Sequence, residues 1–325
     1  MSNIDTAAQA GDNIQAAAKK SGASTLNKLT MLPVGWNVFF LVILVTGTLT
    51  VIIPMALVVI ISFSSEISIA NVGFSFWPQE WTLKAYKYVF ITGDQLFQSY
   101  KVTIFYTVAG TVMCLAVMTM FAYVISLRQF VFRKGLTWYL FITMLFGGGL
   151  VPSYILNVRY LHINNSAWIF LLPTLCNAYQ VIILRTFIRT TIPDSLLESA
   201  RIDGAGHFTI FLKIVLPLFK AGIATIGLFN VVGRWNDWFT GMLYIENPKL
   251  IPLQTLLIKL QATIDYLKNA ASVAGTPDGI QLLLTVPDQS MRMACTLLVI
   301  LPILFAYPFF QQYFVSGLTM GSIKE

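Results

Sequence analysis

Charge is scarce in this chain. Asp, Glu, Lys and Arg make up 11% of its 325 residues, where an average soluble domain carries about 25%. Histidine is rarer still: His162 and His207 stand alone, in no catalytic or metal-binding pattern. Cys114, Cys176 and Cys295 each fall in an apolar run, so neither a disulfide framework nor a metal-ligand spacing is present. No G-x4-G-K-[ST] phosphate loop occurs, and no H-E-x2-H or G-x-S-x-G motif. The chain is therefore expected to be a non-enzyme that binds no cofactor of its own. Its net charge of +7 does not point to nucleic acid, because the basic residues are scattered between apolar runs rather than gathered in an arm or stripe.

What the chain has in abundance is hydrophobic sequence, 56% of all residues. Apolar runs of roughly membrane-crossing length lie at 37–62, 102–126, 136–155, 167–187, 221–244 and 294–315. They predict an all-α polytopic membrane protein with six transmembrane helices. Residues 1–30 are rich in Ala, Ser, Asn and Lys without apolar periodicity and read as a mobile tail, leaving 31–325 as the membrane domain. The segment 64–100 reads as a polar, aromatic loop, and 245–293 as a mixed loop with a helix at 253–269 and a turn at 275–279. The loop after the second run holds Arg128, Arg133 and Lys134, whereas the loop after the third holds only Arg159. The positive-inside rule then places both termini, and the polar island at 188–212, in the cytoplasm.

That island is a charged stretch between two apolar ones. Ser195 and Glu198 have the spacing of a capping box behind Pro193 and Asp194. Gly204 supplies a left-handed stop. The result is a short capped surface helix, too short to persist without a surface to lie on.

The same residues carry a family resemblance. Glu198-Ser199-Ala200, Gly204 and Ile214-x-Leu216-Pro217 resemble the E-A-A-x3-G-x9-I-x-L-P motif of ABC importer permeases. Asp203-Gly204-Ala205 matches the motif's carbohydrate-importer form, and Ser199 departs from it by one small residue for another. Gly148-Gly149-Leu150-Val151-Pro152, Trp235-Asn236-Asp237-Trp238, Ile251-Pro252-Leu253-Gln254 and Gly317-x3-Gly321-Ser322-Ile323-Lys324 extend the likeness to the oligosaccharide permeases over about 35–325. The resemblance implies that the short helix is a coupling helix docking on a cytosolic ATPase. Leu196, Leu197 and Ala200 would fill the ATPase groove, Glu198 and Arg201 would make polar contacts, and Gly204 would set the exit turn, with Ser199, Asp203 and Ala205 completing the element. It also implies a second homologous permease, two ATPase subunits that bind the ATP and Mg, an extracytoplasmic solute-binding protein, and a place in a prokaryotic inner membrane.

Polar residues inside apolar runs are the other signal, since such groups must pair or face water. Asn177, Tyr179 and Gln180 lie in the fourth run; Asn230, Trp235, Asn236 and Trp238 lie in the fifth. They are candidates for a sugar path, the amides bonding hydroxyls and the aromatics stacking on rings. The plainer alternative is interhelical hydrogen bonding, and Arg234 with Asp237 reads as an ion pair at helical spacing. A stand-alone secondary transporter would need inverted repeats, which the sequence lacks. A membrane scaffold would leave the glycine-broken third run unexplained. Which sugar is carried, and by which permease it is touched, is not written in the sequence.

Overall fold

The computed structural model describes residues 34–91, 93–274 and 288–321. The expected tail at 1–30 and the turn at 275–279 lie outside them. The described residues are helical, apart from connections and one isolated bridge between Ser64 and Trp81. They fall into two compact units that divide after Leu57, within the first helix, α1 (Val34–Ser62). In the first unit Thr48 and Thr50 turn their hydroxyls back onto the carbonyls of Leu44 and Thr46, at 2.7 and 2.8 Å. These two hydroxyls are thus satisfied within the helix, as suits a hydrocarbon surrounding.

In the second unit the segment 64–100 is not the expected loop. It holds α2 (Glu66–Val72), α3 (Lys84–Ile91) and the first turns of α4 (Gly93–Ser126). Local chemistry explains this. Ser65 accepts the Ser68 N–H at 3.1 Å and caps α2, and Ala85 and Val89, one turn apart on α3, are fully buried.

The third apolar run forms α5 (Arg133–Leu145) and α6 (Leu150–Ile155), the latter continued by a π turn at Leu156–Tyr160. The two are bent by 112° at the glycines, where Gly149 has φ +83°. The fourth run is not one helix. It forms α7 (Trp168–Leu171), an unwound stretch at 172–177 containing Pro173, and α8 (Ala178–Thr191). Proline removes a donor and disfavours helix in the residue before it, which accounts for the break. Then come α9 (Asp194–Ile202) and α10 (His207–Ile210), which continues through a π turn to Leu218 and bends by 80° into α11 (Lys220–Trp235). The fifth run stops there, not at Tyr244, which belongs to a separate α12 (Phe239–Tyr244). The chain closes with α13 (Leu253–Ala274) and α14 (Gln289–Gly321). Among the described residues two helices, or four spans if each bent pair counts as one, are long and apolar enough to cross a membrane.

α4 is the spine. Leu96 and Tyr106 belong to one buried cluster with Phe170, Trp235, Leu253 and Met291. Cys114, Met118, Ala122 and Ile125 belong to a second, with Val181, Leu184, Leu197, Ala200 and Phe219. At one end α14 is held by Glu66. Its Oε1 accepts the N–H groups of Asp288 and Gln289 at 3.0 and 2.7 Å, at the positive end of the helix. Lys268 lies 3.8 Å from the same oxygen, and Arg292 pairs with Asp288 at 2.9 Å and with Asp265.

Candidate functional site

Two places gather the residues singled out in the sequence. The first is α9. It begins at Asp194, one residue before the expected capping Ser195, and Pro193 at its N-cap has no side chain to bond with. The expected capping box is therefore not formed. Asp194 enters the first turn, where its carboxylate suits the helix dipole, and pairs with Arg128 at 2.8 Å. The exit is as expected. Gly204 has φ +81°, its N–H bonds the Arg201 carbonyl at 3.0 Å, and the Ala205 N–H reaches the Ala200 carbonyl at 2.9 Å. This is a Schellman turn, open to glycine because nothing else adopts that backbone without strain.

Leu197 and Ala200 are buried against the chain's own second cluster. They cannot also fill the groove of another protein, so the expected role of these two is corrected. They are the keel that seats the helix. The outward face carries Leu196, Glu198, Ser199 and Asp203, together with Ile202 at 87% exposure; Phe208 projects just beyond. Arg201 is half-buried and donates from Nη1 to Gln129 Oε1, which ties α9 to the loop after α4.

The second place is where α4, the break before α8, and α11 meet. Asn177 Oδ1 accepts the Gln180 N–H at 3.1 Å and caps α8. Gln180 Oε1 accepts from Asn230 Nδ2 at 2.8 Å, and Asn230 Oδ1 accepts from Cys114 Sγ at 3.3 Å. Three of the residues expected along a path are thus joined in one hydrogen-bonded row. Tyr179 projects outward beside it. Trp235, Asn236 and Trp238 do not join it. Trp235 is buried and donates to the Val299 carbonyl of α14 at 3.0 Å, so it anchors α11 to α14 instead of offering its ring to a sugar. Asn236 ends α11, its Nδ2 donating to Val232 at 3.0 Å, and Trp238 precedes α12.

The expected ion pair between Arg234 and Asp237 is absent among the described residues. Asp237 Oδ1 accepts the Thr240 N–H at 3.0 Å and caps α12 instead. Arg234 is 7% exposed and turns the other way: Nη1 donates to the Phe170 carbonyl at 2.7 Å and Nη2 to the Thr174 carbonyl at 3.2 Å. Gly110 makes room, since a methyl there would stand 2.5 Å from Nη1. Tyr106 stacks on Phe170 with ring centres 4.7 Å apart and donates to the Arg234 carbonyl at 2.7 Å. Sequence reasoning missed Cys114, Gly110 and Tyr106 in this arrangement. Pro173 followed by Asn177, a breaker and then an N-cap, was the available signal for the break.

No family model matches the chain. It is 36% identical over 273 residues to the polygalacturonan/rhamnogalacturonan transport system permease protein YtcP of Bacillus subtilis, covering 84% of this chain and 92% of that protein. It is 38% identical over 285 residues to protein LplC of the same organism, covering 86% and 90%. Among solved structures, a chain of a bacterial ABC transporter involved in the import of the acidic polysaccharide alginate superposes with a TM-score of 0.70 at 28% identity, over 87% of this chain and 99% of that one. Likeness of this extent to transport permeases, together with the apolar spans and the capped α9, means that the chain belongs to the carbohydrate-importer type of ABC transporter permeases, the non-catalytic membrane subunits of those systems.

Proposed function

We propose that this chain forms half of the translocation pathway of an ATP-driven importer for an oligosaccharide delivered by an extracytoplasmic solute-binding protein. Its partners on this reading are a second homologous permease and two cytosolic ATPase subunits, which hold the ATP and Mg. On this reading the chain crosses the membrane six times, counting the broken 167–187 segment and α14, with both termini on the cytoplasmic side to which the positive-inside rule assigns α9. The observation that carries the reading is the build of α9. Leu197 and Ala200 fix it to the bundle core while Leu196, Glu198, Ser199, Ile202 and Asp203 remain presented outward. A helix rooted in the core on one side and free on the other transmits a push from a partner into the bundle as a rigid body.

The row Asn177, Gln180 and Asn230 is the proposed sugar-facing element, with Tyr179 beside it. The relatives that transport polygalacturonan/rhamnogalacturonan and the acidic polysaccharide alginate make fragments of such polysaccharides the substrate class to try first. A stand-alone secondary transporter is set aside by the family. The test is copurification: an ATPase subunit of the host's ABC importers is expected to come down with the tagged chain, and to be lost with Glu198→Lys. Equal recovery from parent and variant would sink the coupling role of α9.

A further inference from the structure

The unwound stretch at 172–177 frees the carbonyls of Phe170 and Thr174 from main-chain donors, and one guanidinium, that of Arg234, donates to both; the Thr174 hydroxyl and the Cys114 thiol reach the same two oxygens at 3.3 and 3.4 Å, each touching only one of them. No carboxylate pairs with that guanidinium among the described residues, and its Nε has no partner. A charge in such a place destabilises relative to a neutral donor, because the desolvation of an ion is only partly offset by neutral dipoles. Stability alone therefore does not account for arginine at this position. What arginine offers is a rigid planar fork whose two ends reach two acceptors at a set separation. Asn230 lies one helical turn before Arg234 on α11, on the same face. The fork that grips the break thus also sets how far Asn230 stands from Gln180 on the far side of that break.

We infer that Arg234 is a positioning residue for the translocation path: it holds the break before α8 at a fixed distance from α11 and so keeps the Asn177–Gln180–Asn230 row in register. This rests on the reading of that row as sugar-facing. Gly110 belongs to the device, since only a residue without a side chain leaves the guanidinium its place.

The test uses the whole importer in proteoliposomes, with Cys114→Ser and Cys295→Ala so that the exposed native Cys176, inside the break, is the remaining thiol. Arg234→Met removes the fork, Arg234→Lys keeps the charge without the fork, and Gly110→Ala evicts the fork without touching the arginine. Two quantities are read per assembled complex: the apparent KM for uptake of an oligogalacturonide, and the labelling rate of Cys176 by a membrane-impermeant maleimide. All three variants are expected to raise KM by about threefold or more and to shift the labelling rate in the same direction. A purely structural role lowers the amount of complex and leaves the KM of what assembles unchanged, and that result would overturn the inference. So would full rescue by Arg234→Lys, or a changed labelling rate with parental KM. Failure of the parent to take up the oligogalacturonide counts against the functional reading instead, and the labelling arm still decides whether Arg234 holds the break.

Discussion

The phenol of Tyr100 donates to the carbonyl of Leu298 at 2.8 Å, and Leu298 stands four residues before Pro302. In an unbroken helix that carbonyl would take the N–H of residue 302, which proline lacks. Trp235 bonds the next carbonyl, that of Val299, at 3.0 Å, although Ile303 still carries the N–H that an α-helix would direct there. At Pro302 it is therefore the Tyr100 phenol of α4 that stands in for the missing donor, while Trp235 of α11 adds a second tie to the same turn of α14. Tyr100→Phe is expected to lower the unfolding free energy of the detergent-solubilised protein by about 1 kcal/mol. In a Pro302→Ala background, where the N–H returns, the same substitution should cost almost nothing. Equal costs in both backgrounds would show that the phenol is not replacing the missing donor.

Gly204 sets the exit of α9 in the left-handed region, at φ +81°. Gly204→Val is expected to strain the Schellman turn by about 1–2 kcal/mol and to reduce uptake while ATP hydrolysis continues. Gly206→Ala, at φ −69°, is the control and should transport like the parent. Parental uptake by Gly204→Val would remove the turn from the coupling path.

How far α9 was readable in advance follows from how local its determinants are. The left-handed glycine announces itself because that backbone favours one residue type so strongly over the rest. The capping box failed because Asp194, one position earlier, had Arg128 to pair with, and Arg128 is distant in sequence. Leu196, Leu197 and Ala200 were legible as the apolar residues of the helix, but which of them meet this chain and which another depends on α4 and α10. The membrane segments show the same division. Apolar length marked α1 and the body of α4, whereas the 112° bend and the unwinding at 172–177 depend on which distant groups satisfy the freed backbone. Arg234 illustrates the limit: its charge was conspicuous, its neighbour Asp237 was the obvious partner, and its acceptors lie 64 and 60 residues away.

Gln180 and Asn230 share one side-chain hydrogen bond across two helices. Gln180→Leu and Asn230→Leu should each lower sugar uptake per assembled complex, and the double variant should be no worse than the poorer single one, since the second change removes nothing further. Additive losses would mean that the two amides act separately on the substrate.

Glu66 ties the start of α14 to α2 and to Lys268. Glu66→Ala leaves the first N–H groups of α14 without their acceptor and should destabilise the protein by about 1 kcal/mol, seen as a lower thermal midpoint. Glu66→Gln retains an acceptor oxygen and should lie between parent and alanine. A midpoint for alanine equal to the parent's would mean that water replaces the carboxylate.

The link between Arg234 and the broken segment also bears on the order in which the protein is made. Ribosomes deliver the N-terminal side first, so the carbonyls of Phe170 and Thr174 emerge 64 and 60 residues before their donor exists. Until α11 follows, those oxygens have only weaker donors at hand, the Thr174 hydroxyl at 3.3 Å and the Cys114 thiol at 3.4 Å. Lipid supplies none, so the segment is expected to settle in the bilayer together with α11, as a pair. Nascent chains ending before Val232 should accordingly leave the segment extractable by alkali, whereas chains reaching past Asp237 should retain it. Biogenesis of this permease is then paced by its breaks rather than by its hydrophobic lengths.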